Sequence, residues 1–249
     1  LGLCDFDGTF GHFNLNEHCK DFGKKPIFGV RIMAVRSPQE KVRPRGQFGP
    51  YYILLAKNRD GLIEINRLVS KSTKLFYYRP HVGLIDIWGL SENVIVICET
   101  PDIMERVDYL GISFSTPKKL YENFDGPRVA INYGRYIWTD DRPVFEVFCE
   151  GKAGVTTYPQ HQLTEKEWMT FFSDQDAVDN THKIADQCNV QLIKAPKPKY
   201  TGNDNLRDLC VNRAPSLGID LNDPEYKERF EYELDLITSK DFEDYFLIV

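Results

Sequence analysis

Tyr226, Phe230, Leu234 and Ile237 recur at i, i+4, i+8 and i+11, a spacing that lays one apolar stripe along a helix over residues 224–239. Asp223 is a good N-cap for it, and Pro224 suits its first position. The apolar run 245–249 then opens a further element. Upstream, short apolar runs alternate with helix-like segments: a strand at 1–4, a helix over 10–22, strands at 26–35 and 51–56, and a helix at 61–70 carrying Leu62, Ile65, Leu68 and Val69. Further strands are predicted at 94–98, 112–114 and 128–131, with a Pro/Gly/Arg-rich loop at 37–50 that carries Lys41, Arg43 and Arg45. This rhythm of βα units predicts a parallel, barrel-like α/β domain rather than a sandwich. From residue 158 the pattern turns helical. Thr164 and Glu167 form a capping box before Trp168, Met169 and Phe172, a second helix is expected over 176–188, and a third over 203–211. Asp174 and Asp176 read as an N-cap pair. Lys194, Lys197 and Lys199 alternate with Pro196 and Pro198 in a stretch that must be extended.

Composition narrows the class. With 249 residues, 42% hydrophobic and 27% charged, the chain is ordinary for a globular protein, and no apolar run approaches the roughly 20 residues of a membrane helix. The start has no basic n-region or cleavage site, so no signal peptide is read there. It resembles the middle of a strand, and the last run has neither cap nor polar tail, so the sequence reads as a piece of something longer. Six cysteines without a C-x-x-C pair point to reduced core thiols in a cytoplasmic protein. A net charge of −6 argues against a chain built mainly to hold a polyanion, so any nucleic-acid contact has to be local. The five histidines, His12, His18, His81, His161 and His182, show no metal-ligand spacing.

Order and spacing of short motifs carry a resemblance. Phe10-Gly11, Lys25-Pro26-Ile27-Phe28-Gly29, Leu54-Leu55-Ala56-Lys57-Asn58, Arg67-Leu68-Val69-Ser70 and Phe76-Tyr77-Tyr78-Arg79-Pro80 are followed by Asn180-Thr181, Ile184-Ala185, Cys188-Asn189-Val190, Leu206-Arg207 and Leu209-Cys210. The closing block is Glu231-Tyr232-Glu233-Leu234-Asp235-Leu236-Ile237, then Phe242-Glu243-Asp244-Tyr245-Phe246-Leu247-Ile248-Val249. Together these resemble the bacterial and phage family C replicative DNA polymerases, the DNA polymerase III alpha type. The resemblance implies a distorted β/α barrel of the PHP (polymerase and histidinol phosphatase) type over 1–157, without its first strand and motif. It further implies a mainly helical start of the palm over 158–249. The matches are poor over 99–129 and 144–154.

In active PHP domains, His, Asp, Glu and Cys side chains at the strand ends hold metal ions. Here the family's ligand positions fall on Asp5 and Phe6, on Arg31, on Tyr51, and on Tyr133 and Arg135, with Cys98 or Thr100 near the expected cysteine. The pocket is therefore expected to be vestigial and metal-free, two guanidiniums standing in for the ions' charge, with Asp5 and Cys98 the remaining candidate ligands. The palm's catalytic aspartates would lie beyond Val249, so this stretch is expected to have no catalysis and no cofactor, while the parent polymerase would use Mg²⁺. Expected partners are the rest of the polymerase core, a proofreading exonuclease subunit, and DNA for the parent protein, with no membrane. Lys194, Lys197 and Lys199 are candidate phosphate contacts, a solvated linker being the plainer reading. The competing motif is Asp5-Phe6-Asp7-Gly8-Thr9, which copies the first motif of haloacid-dehalogenase-like phosphatases, with Asp5 as nucleophile, Asp7 handling the leaving-group proton, and Asp140-Asp141 as the paired acids.

Overall fold

A computed structural model describes residues 2–37, 50–99, 106–149, 157–193 and 197–249. Its contacts divide the chain into two units, Leu1–Leu192 and Ile193–Val249. The first unit is a mixed α/β body. Its strands are β1 (Gly2–Phe6), β2 (Ile27–Val35), β3 (Tyr51–Ala56), β4 (Val82–Gly83), β5 (Val94–Cys98), β6 (Tyr109–Ile112) and β7 (Arg128–Ala130). They form one sheet in the order β1-β2-β3-β5-β6-β7, with β4 added to β2.

The expectation of a parallel, barrel-like sheet holds in part. β1 is parallel to β2, and β5, β6 and β7 run parallel to one another, but β3 is antiparallel to both β2 and β5. β3 (Tyr-Tyr-Ile-Leu-Leu-Ala) is apolar on both faces, as buried central strands are, and such a run carries no direction in its pattern. The sheet curls into a half-barrel. Consecutive residues of both edge strands, Gly2 to Phe6 and Val129 onward, line the same cavity of about 770 Å³.

Alternation sorts the strands into two faces. Phe28, Val30, Ile32, Tyr52, Leu54, Val94, Val96 and Cys98 face an outer core. There they meet α1 (His12–Asp21) and α2 (Arg59–Lys74), with α3 (Leu84–Trp88) alongside. α2 buries Leu62, Ile65 and Leu68 and is capped by Asn58, whose side chain accepts from the Gly61 N–H at 3.0 Å. Each such buried aliphatic contributes about 1.5–3 kcal/mol. Ile53, Leu55, Ile95, Ile97 and Val129 face inward.

The inner face is covered from the helical stretch. After α4 (Lys118–Glu122) and α5 (Arg142–Phe148) come α6 (Glu165–Phe172) and α7 (Gln175–Gln187). Thr164 and Glu167 make the expected capping box on α6, and Asp174 caps α7 by accepting from Ala177 N–H at 3.0 Å. α7 lies on β7: Asn180 donates to the Arg128 carbonyl at 2.7 Å, Arg128 pairs with Asp174 at 2.7 Å, and Ile184 and Cys188 join the inner core.

The second unit holds α8 (Leu206–Arg213), α9 (Pro224–Ser239) and α10 (Glu243–Ile248). Asp223 caps α9 with Pro224 at its start, as expected. Of the stripe Tyr226, Phe230, Leu234 and Ile237, only Leu234 is buried. Among the described residues no helix is long and apolar enough to cross a membrane.

Candidate functional site at the mouth of the half-barrel

The ends of β1 and β2 build the site. Phe6 pairs with Arg31 in register, and alternation turns both away from the outer core. Tyr51 opens β3 opposite Met33, two residues beyond Arg31. Tyr133 follows β7. The Arg31 guanidinium carbon lies 4.7 Å from the Phe6 ring centre, 4.9 Å from Tyr51 and 4.2 Å from Tyr133. Three aromatic rings thus box one cation, each face offering negative quadrupole density. Phe6 and Tyr51 meet edge to face at 5.7 Å, which closes two walls of the box against each other.

A carboxylate completes the cluster. Glu99 directly follows Cys98, so alternation places it on the opposite face, toward Arg31. Arg31 Nη2 donates to Glu99 Oε2 at 3.1 Å, the Tyr133 hydroxyl donates to the same oxygen, and Ser113 Oγ donates to Oε1 at 2.6 Å. Burial first, and then the Glu99 charge, holds the Tyr133 phenol far above its ordinary range, so it remains a donor at any physiological pH. Arg31 Nε is buried without a hydrogen-bond partner, which leaves the rings and Glu99 as the cation's main compensation. The result is a charge-balanced plug with one unpartnered N–H, that of Arg31 Nε. Both oxygens of its carboxylate already accept hydrogen bonds.

The remaining predicted positions lie elsewhere. Asp5 alternates with Phe6 and turns outward, where its Oδ2 accepts from Gly11 N–H at 2.8 Å and fastens the turn into α1. Cys98 is buried in the outer core across from Tyr52, which hydrogen-bonds to it. Arg135 is exposed on the cavity rim, its backbone N–H donating to the Gln160 carbonyl at 2.7 Å. Lys197 closes the α9 C-terminus by donating to the carbonyls of Lys240 at 3.2 Å and Asp241 at 3.1 Å, and it lies over the Phe242 ring. Lys199 is exposed, while Lys194, Lys41, Arg43, Arg45 and Thr100 fall outside the described residues. Among the described residues no three His, Cys, Asp or Glu side chains come together to hold a metal ion. The Cys4 thiol on the inner face is pushed up to about 12 by burial, then by Asp5 and Cys188, so it stays protonated.

Glu99 and Ser113 are the members that sequence reasoning missed. One signal could have found Glu99: an acid one residue past the wholly apolar strand Val94–Cys98 continues that strand's alternation onto the inner face. The phosphatase motif is not assembled. β1 is an edge strand, Asp5 is tied to Gly11, and Asp140 and Asp141 sit in an exposed 3₁₀ turn where Asp141 accepts from Trp138 N–H at 2.9 Å.

The fold and plug define a mixed α/β half-barrel whose mouth is closed by an arginine in an aromatic box. Across its whole length the chain is a distant homologue of DNA polymerase III alpha subunits. It is 23% identical over 273 aligned residues to DNA polymerase III subunit alpha of Staphylococcus epidermidis, which covers all of this chain and 24% of that protein. The Haemophilus influenzae subunit is 27% identical over 314 residues, with 26% of that protein covered, and the Borreliella burgdorferi subunit is 24% identical over 307 residues, with 27% covered. The chain thus spans about a quarter of the length of the curated relatives it matches. No family model matches.

Proposed function

We propose that residues 1–157 are a degenerate PHP-type barrel domain of a family C replicative DNA polymerase, and that the helices from 158 onward lead into its palm. The first two of those helices cover the barrel's inner face. In this reading the segment is a metal-free scaffold within a DNA-directed DNA polymerase, and the parent protein would supply the palm aspartates, Mg²⁺ and DNA. The rest of the polymerase core would pack against it, and a proofreading exonuclease subunit could dock on it. The observation that carries the reading is the plug. Phe6, Tyr51 and Tyr133 all pack on the half-buried guanidinium of Arg31, the four being assigned by resemblance to former ligand positions. A guanidinium at the centre of a site repels a divalent ion and leaves it no vacant oxygen ligand. Elemental analysis after chelation and reloading with Zn²⁺, Mn²⁺ or Fe²⁺ is expected to give less than one equivalent per chain. A tightly held cluster of two or three ions would overturn the proposal.

A further inference from the structure

The C-terminal half of α2 presents a cationic face to solvent. Ile63, Asn66, Arg67, Ser70, Lys71 and Lys74 line one shallow concavity of about 450 Å³, a lining with three cations and no carboxylate. The acids within reach are already engaged. Asp86 pairs with Lys71 at 2.6 Å and accepts from Gly83 N–H, while Glu64 accepts from both the backbone N–H and the hydroxyl of Ser91. Asp60 lies at the far end of the helix, about 21 Å from Lys74 along the axis. No ion pair of Arg67 or Lys74 is seen among the described residues. The helix macrodipole accounts for Lys71 and Lys74 in the last turn, but not for Arg67.

Exposed aromatic rings follow this helix in the chain. Directly after α2, Phe76 and Tyr78 are 59% and 61% exposed, and Tyr78 is held at φ +61°, a left-handed conformation that a bulky residue adopts only at a cost. The Tyr77 ring braces Tyr78 edge-on at 4.8 Å. The turn therefore holds a ring outward instead of burying it.

We propose that α2 and the turn after it form a contact surface for single-stranded nucleic acid, with Arg67 and Lys74 on phosphates and Phe76 and Tyr78 stacking bases. A cationic groove beside exposed rings is the arrangement that binds such strands without reading sequence. The net charge of −6 opposes the approach of a polyanion at long range, but at physiological salt that repulsion is screened beyond about 8 Å, so a local patch can act. The proposal is independent of the scaffold reading, since metal content and strand binding are separate measurements.

Fluorescence anisotropy of a labelled oligothymidylate titrated with the 249-residue chain at several salt concentrations tests it. The double variant Arg67→Ala/Lys74→Ala should bind about tenfold more weakly and lower the log–log salt slope by about 1.4, at about 0.7 for each phosphate that is no longer neutralised. Phe76→Ala and Tyr78→Ala should each weaken binding about tenfold, the loss of one stacked base. Lys118→Ala, an exposed cation on α4, should leave it unchanged. The proposal is overturned by absent binding of the parent chain, by a double variant that behaves like Lys118→Ala, or by full binding in both aromatic variants. Equal affinity for a polyglutamate peptide, which has charge but no bases, would also overturn it.

Discussion

Removing the plug's cation should unbalance Glu99. In Arg31→Met the aliphatic length is kept and the charge is lost, leaving a carboxylate whose side chain is 10% exposed with only the hydroxyls of Tyr133 and Ser113 as partners. Breaking a buried pair costs about 3–5 kcal/mol, and because the Arg31 side chain retains 16% exposure the lower end applies, about 3 kcal/mol. For a chain of this size that is a fall in Tm of about 6–12 °C. Glu99→Gln keeps one acceptor oxygen, the amide nitrogen taking the place of the other, and strands Arg31 among three rings, at a cost of similar size. The double variant Arg31→Met/Glu99→Gln contains neither unpaired charge. It should therefore be at least as stable as either single variant, a coupling of about 3 kcal/mol or more. Chemical denaturation of the parent, both singles and the double closes the cycle. Additive losses, or a loss below about 0.5 kcal/mol in Arg31→Met, would show that the pair is screened and that the rings alone hold the guanidinium.

Two further outcomes follow from the same region. Gly29 lies in β2 where it passes between β1 and β3, and a Cβ there would stand 2.6 Å from the Leu54 carbonyl oxygen and 2.7 Å from Cys4 Sγ; Gly29→Ala should lose about 1–3 kcal/mol in a denaturant titration. Asp7 has its carboxyl raised above the usual 3.8, chiefly by burial, against the Met33 backbone hydrogen bond and the Arg79 and Arg31 charges. A raised acid destabilises the fold while ionised, and that cost disappears once both states are protonated. Asp7→Asn, which tolerates the φ of +56°, should thus be more stable than the parent at pH 7, and the difference should vanish as pH falls below about 3.8. An unchanged difference across that window would remove burial of the charge as the cause.

Hydrophobic spacing and capping chemistry made much of the framework legible. The runs at β2, β3 and β5 and the caps at Thr164, Asp174 and Asp223 each depend on local chemistry that a short window contains. Strand direction does not. β3 is apolar on both faces, so nothing in its six residues distinguishes a parallel from an antiparallel neighbour. The short elements α3, α4 and β4 escaped because five or fewer residues cannot establish a period. At the site, the motif positions singled out Phe6, Arg31, Tyr51 and Tyr133, which the structure gathers, but Asp5 and Cys98 stand one pleat out of phase and face the other way. Linear proximity to a motif does not say which face a strand residue takes; the parity of its position does.

Parity also explains why the plug has to be considered as a unit. Arg31 is tolerable in a sheet interior only because Glu99 supplies the counter-charge and three rings displace water from its faces. Glu99 in turn is tolerable only with Arg31, Tyr133 and Ser113 saturating its oxygens. Exchanging Arg31 alone for an acid would turn a second carboxylate toward Glu99 with no cation between them. A metal could bridge them, but Phe6, Tyr51 and Tyr133 would supply two phenols and a hydrocarbon face where further ligands are needed. Each member of the cluster takes up the charge balance or the space that a metal ion would need, so no single substitution turns this packed cluster into a coordinating site.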